Sequence, residues 1–194
     1  MKLFVFCKMP KKGFDKFVKE LRKNHSKDYL DKILTHDGTN KTMLIYDEDC
    51  QLTGSELDLL ALNGMAFSAY IGVMLKNRNE LSNLRFWHDH EVIEWNRRLS
   101  TDFDKAKAEF IEGLTIDSKI MIKKALAKRH FLNTYQNANE KQIKCLEEVL
   151  RQITVCEDFG CGLSETQIQA FIDSGNEAKV SIKVRTLIKE KLSA

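Results

Sequence analysis

Residues 59–75, LLALNGMAFSAYIGVML, run for seventeen positions without a charged side chain. Water must be kept from most of such a run, so the fold has to enclose it. Seventeen residues is the lower limit for a helix that spans a bilayer, and Asn63, Gly64, Ser68 and Gly72 dilute the hydrophobicity. Gly64, Ser68 and Gly72 recur at every fourth position, which on a helix makes a smooth ridge for close approach by another helix. Thr53 and Glu56 supply a capping-box pair just upstream. The reading is a helix over residues 55–76, buried at the centre of a bundle in a chain with no membrane span.

The rest of the chain supports a helical reading. One proline, Pro10, and nine glycines favour long helices over a turn-rich β architecture. A hydrophobic share of 43% beside 30% charge excludes global disorder, and 194 residues can bury a sizeable core. LFVFC (3–7) and TMLIY (42–46) are rich in β-branched and aromatic residues and read as strands. Between them Phe14, Phe17, Val18 and Leu21 recur at helical spacing, as do Tyr29, Leu30, Ile33 and Leu34, with a break near His25-Ser26. This order suggests a βαβ unit with parallel strands, an antiparallel pair being the alternative. HDGTN (36–40) is turn chemistry.

Beyond residue 53 the pattern is helical. Helices are expected over roughly 80–99, from Ser100 or Thr101 to Gly113, and from Thr115 to about Tyr135. Further helices are expected from Asn139 with Gln142 to about Val155, from Ser164 with Gln167 to Ser174-Gly175, and over 177–192. The expected fold is mainly α with a small N-terminal α/β element. A βαβ-like unit over residues 1–53 would pack on a multi-helix bundle over 54–194 that ends in an α-hairpin, the two forming one compact body.

The five cysteines are odd in number and scattered, which fits a reducing compartment better than a disulfide framework. MKLFVFCKMPKK places its apolar run before its lysines, the reverse of a signal peptide, so a cytoplasmic location is expected. The net charge of +3 is unevenly spread, with basic segments over 2–32, 119–129 and 179–191 and an acidic knot at Asp47, Glu48 and Asp49. A solvated helix face accounts for each basic run; a phosphate-attracting surface is the functional reading.

FWHDHEVIEW (86–95) concentrates two histidines, three carboxylates and two tryptophans. On a helix, Leu81, Leu84, His88, Val92, Trp95 and Leu99 form one stripe, so His88 falls in an apolar seam as a buried neutral histidine. His90 and Glu94 lie four apart on another face with Trp87. That spacing suits one divalent ion, but the helix alone lacks the third ligand, and a His-Glu pair accounts for it. No metal site and no cofactor are expected. Cys145, Cys156, Cys161 and His130 do not follow structural zinc spacings and read as structural thiols.

Four resemblances bear on function. His36-Asp37 and His88-Asp89 resemble the HD dipeptide of metal-dependent phosphohydrolases, although the first falls in a turn. Asp47 and Asp49 after a strand resemble the D-x-D motif of the haloacid dehalogenase family, with Gln51 where that family has threonine. Arg85 and His90 resemble the R-x4-H signature of HEPN ribonucleases, with Phe86 where a polar residue is usual. The resemblance implies metal-independent RNA cleavage, with the histidine in acid-base work and the arginine stabilising phosphate charge. GLSETQIQAFIDSGNEAKVSIKVRTLIKEKL (162–192) resembles a helix-turn-helix, with Gly175 about two positions later than the usual turn glycine. An ordinary α-hairpin accounts for the same pattern.

No catalytic constellation is complete, yet basic helix faces recur. The expected function is therefore a non-enzymatic binding or regulatory protein acting through a helical surface. Lys179, Lys183, Arg185 and Lys189 are the candidate nucleic-acid contacts, and a protein partner or self-association is the further expectation. The enzymatic alternative is the HEPN-like ribonuclease using Arg85 and His90, followed by a metal-dependent hydrolase.

Overall fold

The computed structural model describes residues 2–49, 51–62, 66–73, 94, 97–99 and 101–193, which divide into two compact units, Met1–Gly113 and Leu114–Ala194. The chain is mainly helical with a small α/β element at its N-terminus. The first unit contains β1 (Leu3–Lys8), α1 (Lys11–Leu21), α2 (Lys27–Ile33), β2 (Leu34–Asp37), β3 (Thr42–Asp47), α3 (Gly54–Leu62), β4 (Ala66–Val73) and α4 (Phe103–Glu112). Its sheet has the order β2-β3-β1-β4, and every neighbouring pair is antiparallel.

The βαβ-like unit is present in a split form. Because β2 and β1 each run antiparallel to β3, they run parallel to one another with β3 inserted between them. The two segments expected to be parallel are in fact an antiparallel pair, with Leu3 opposite Asp47 and Lys8 opposite Thr42. A tight turn is the cause. The Asp37 carboxylate accepts the N–H groups of Thr39 and Asn40, and Lys41 takes a left-handed φ of 52°, so the chain doubles straight back. Leu34, expected on a helix, begins β2.

The helix expected over 55–76 is also corrected. The capping box is real: Thr53 N–H donates to Glu56 Oε2 at 3.0 Å, and Glu56 N–H donates to Thr53 Oγ1 at 3.3 Å. However, α3 ends at Leu62, and residues 66–73 form β4 on the open edge of β1, with Gly72 opposite Phe4 and Val73 opposite Leu3. A short run that is apolar at consecutive positions fits a strand as well as a buried helix, and periodicity does not separate the two. An every-fourth-residue ridge is equally one face of a strand.

Both faces of the sheet are covered. Leu3, Val5 and Cys7 of β1 and Met43 and Ile45 of β3 share a core with Phe17 and Leu21 of α1, Leu30 and Ile33 of α2, and Leu57 and Leu60 of α3. On the opposite face Phe4 and Phe6 meet Phe110 of α4 edge-on, at 5.7 and 6.3 Å between ring centroids. Tyr46 stacks on Phe103 at 6.2 Å. Lys107, only 2% exposed, lies with its ammonium 4.7 Å from the Tyr46 ring centroid and 3.3 Å from its hydroxyl.

A polar latch ties the loops at one end of this sheet. Glu56 accepts from Asn24 Nδ2 at 3.0 Å and lies 3.0 Å from His25 Nε2, besides its bonds to Thr53. His25 packs beside Tyr29, whose hydroxyl donates to the buried Asp47 carboxylate, and Asp47 also accepts the N–H of Gln51 at 2.7 Å. The Ser26 hydroxyl accepts the Tyr29 N–H, opening α2 at the expected break.

The second unit contains α5 (Ile116–Thr134), α6 (Glu140–Asp158), α7 (Glu165–Ser174) and α8 (Glu177–Ser193). Full capping boxes open α6 at Asn139 and α7 at Ser164, as the sequence predicts, whereas Thr115 holds the position before α5 without a side-chain bond to the backbone of its first turn, its hydroxyl donating to Ser118 Oγ at 3.0 Å. Asp102, rather than Ser100 or Thr101, caps α4 by accepting the Lys105 N–H. Of the helix expected over 80–99, Glu94 and residues 97–99 are helical and the others lie outside the described residues. Among the described residues no helix is long and apolar enough to cross a membrane.

Burial alone would raise the Glu56 carboxyl. Hydrogen bonds from the Thr53 N–H, Asn24, His25 and the Thr53 hydroxyl outweigh burial and hold it at about 2, against a usual 4.5. A depressed acid contributes stability that is complete above pH 4.5 and is lost as pH falls towards 2, in total roughly 3 kcal/mol. Glu56→Gln is expected to lower unfolding free energy at pH 7 by roughly 2–3 kcal/mol. Urea titrations at pH 7 and pH 3 should show the gap between wild type and variant closing at the lower pH.

Candidate nucleic-acid interface

The four basic residues singled out from the sequence all lie on α8, and all are exposed. Their placement follows from helical geometry. Val180 and Val184 are fully buried against the rest of the unit and fix the inner face of the helix. Lys179 and Lys183 then fall on one flank of the outer face and Arg185 and Lys189 on the other, with Ile182 and Thr186 between them. Among the described residues none of these four side chains is held in an ion pair. Over its whole length α8 carries five basic residues against two acids, Glu177 and Glu190.

The launch of α8 is held firmly. Gly175 closes α7 in the left-handed conformation, φ 57°, and Asn176 Oδ1 accepts the Lys179 N–H to cap α8. Three side chains, His130 of α5, Tyr135 just past its end and Cys145 of α6, grip the last turn of α7. Cys145 Sγ donates to the Phe171 carbonyl at 3.4 Å, Tyr135 Oη donates to the Ile172 carbonyl at 3.2 Å, and His130 Nε2 lies 2.7 Å from Asp173 Oδ1. Farther along, Ser181 of α8 donates to Glu148 of α6, which also binds Arg151 and Gln152. The Arg151 hydrogen bonds, with those of Ser181 and Gln152, overcome burial and hold the Glu148 carboxyl at about 2. These anchors are side chains far apart in sequence, so no local pattern signals them.

The other basic segments mix exposed cations with paired or buried ones. In the run 119–129, Lys123 and Arg129 are buried, and Lys123 Nζ lies 2.7 Å from Glu157 Oε1 with both side chains 6% exposed. In the N-terminal run Lys11 pairs with Asp15, and Lys23 with Glu20. Exposed pairs of this kind contribute little and reduce the free charge.

The remaining candidates separate just as clearly. Arg85, His88 and His90 lie outside the described residues. Glu94 is exposed and held by Arg97 at 2.7 and 2.9 Å, and the hydrogen bond from Arg97 pushes its carboxyl below the usual range. A shallow groove of about 260 Å³ beside it is lined by Arg97, Arg98, Thr101, Asp102, Lys105 and Glu109, and Arg98 is paired with Glu109. Of the first HD dipeptide, His36 Nε2 lies 2.7 Å from the Met9 carbonyl and its ring stacks on Phe14. Asp47 is occupied by Tyr29 and two backbone N–H groups, so it closes a turn rather than facing a substrate. Among the described residues no three His, Cys, Asp or Glu side chains converge as metal ligands.

Compared with known protein families, curated proteins and solved structures, the chain matches none.

Gly175 has open space where a Cβ would lie, so a side chain there meets only backbone strain. Gly175→Ala is expected to cost roughly 1 kcal/mol in chemical denaturation. Gly38→Ala, with equal space and no positive φ, should change little.

Proposed function

We propose that this is a non-enzymatic, cytoplasmic binding protein whose helical C-terminal unit contacts nucleic acid through the outer face of α8. The observation that carries the reading is the exposed, unpaired state of Lys179, Lys183, Arg185 and Lys189 on a helix whose inner face and first turn are anchored. Backbone phosphates repeat along a groove, and a rigid helix presenting cations on two flanks can contact both groove walls at once. The charges supply affinity without sequence preference, since ammonium groups neutralise phosphates whatever the bases. Ile182, 63% exposed between the flanks, is an apolar side chain available to a base edge.

A second reading, a protein partner or a second copy of the chain, is favoured by one observation. Ile182 and Leu192 are 63% and 70% exposed on the same helix. Sedimentation of the protein alone separates the two readings, because self-association through these residues needs no nucleic acid.

The nucleic-acid reading is tested by titrating short duplexes and single strands at several salt concentrations. Four phosphate contacts predict that log K falls with log[salt] at a slope of roughly −3 to −4. Lys183→Glu with Arg185→Glu should reduce that slope by about 2 and weaken binding at least tenfold, with the far-ultraviolet dichroism unchanged. Absence of binding at low salt, or binding indifferent to salt, overturns the reading.

A further inference from the structure

The C-terminus of α6 brings two cysteines together. Helix α6 ends at Asp158, and Gly160 turns left-handed with φ 66°. The Gly160 N–H donates to the Glu157 carbonyl at 3.0 Å, and the Cys161 N–H donates to the Cys156 carbonyl at 2.9 Å. This paired six-to-one and five-to-two arrangement is a Schellman motif, in which the two residues joined by the longer bond ordinarily press apolar side chains together. Here both are cysteine. Covalent lengths plus that hydrogen bond cap the separation of their Cα atoms at roughly 7 Å, the upper end of what a disulfide bridges. Cys161 packs against the apolar core that contains Cys156, and both thiols are free.

The surroundings give the two thiols different tasks. Cys156 is fully buried in the core of the unit, whereas Cys161 is partly exposed. Next to Cys156 lies Glu157, locked to Lys123 and pressed so close to Gly162 that a Cβ there would fall 2.6 Å from Glu157 Oε1. The loop is therefore held at both ends, by Gly160 in the turn and by Gly162 against the carboxylate. Cys7 and Cys145 are buried elsewhere, and Cys145 is engaged with the Phe171 carbonyl.

We infer that Cys156 and Cys161 form a redox-active dithiol that closes to an intrachain disulfide on exposure to a low-molecular-weight disulfide of the glutathione class. The Cys161 thiolate attacks one sulfur of the oxidant, forming a mixed disulfide and expelling one thiolate. Cys156 then gives up its proton and attacks the Cys161 sulfur, expelling the second thiolate. Two protein thiols are oxidised by two electrons, one small disulfide is reduced to two thiols, and the two protons end on those thiols. Burial, and then the neighbouring Cys161, push the Cys156 thiol up to about 12, which makes it the resolving partner and not the first nucleophile.

The test uses the full, reduced chain under native conditions at neutral pH, treated with glutathione disulfide, quenched by alkylation and mapped by peptide mass spectrometry. The expected product has lost two hydrogens and two titratable thiols, carries a Cys156–Cys161 link, and reverts with dithiothreitol. Cys161→Ser should abolish the reaction, and this partly exposed site is the safer variant for folding. Cys156→Ser should stop at a persistent glutathione adduct on Cys161. A persistent adduct in the wild type, no reaction, or a link through Cys7, Cys50 or Cys145 overturns the inference.

Discussion

Everything in the first unit depends on the enclosure of β1. Five consecutive residues, Leu3 to Cys7, are buried, and no strand can hide all of them unless both of its faces and both of its edges are covered. The two faces are covered by α1–α3 and by α4, and the edges by β3 and β4. Covering both edges pairs backbone N–H and C=O groups that would otherwise be stranded from water, with one irregularity between Phe6 and Lys8 on the β4 side. This requirement explains why the uncharged run 59–75 is divided. Its first part completes a helix on one face, and its second supplies the ladder that β1 still needs.

Local chemistry was legible in the sequence at three helix starts and one stop, but not at Asp102, which caps α4 in place of Ser100 or Thr101. The boxes at Thr53-Glu56, Asn139-Gln142 and Ser164-Gln167 mark helix starts, and the left-handed Gly175 marks a stop. Period-based reasoning failed where the sequence has no clear alternation or the element is very short. β4 has no polar face to betray it, and β2 is four residues long and continues directly from α2. The latch at Glu56 was half visible. Its capping bonds are local, but Asn24 and His25 reach it from more than thirty residues away. Such a contact is set by topology, and the inserted β3 is what brings those loops to one end of the sheet.

The candidate interface divides in the same way. Periodicity placed Val180 and Val184 inward and the four cations outward on α8, and the structure puts them there. Charge runs alone could not rank the three basic segments. Lys123 and Arg129 belong to an equally basic run, yet α5 turns both inward, where Lys123 meets Glu157. A lysine stretch on an amphipathic helix marks a surface only when its own apolar positions leave the cations outside.

The second unit concentrates its polar side-chain anchors where α7 and α8 are set in place. Tyr135, Cys145 and His130 hold the last turn of α7, Glu148 holds α8 through Ser181, and the Lys123–Glu157 pair lies beside the loop that launches α7. Buried ion pairs add little net stability, because desolvation offsets most of the attraction. What they and directional hydrogen bonds add is a preference for one arrangement over its near neighbours, since a displaced helix would strand a buried charge or carbonyl. An apolar core of valines and isoleucines alone would tolerate small rotations of α8 about its axis. The Glu148–Ser181 contact opposes such a rotation, which would swing the two flanks of cations out of place. The polar anchors therefore act on the orientation of the helix surface more than on the stability of the bundle.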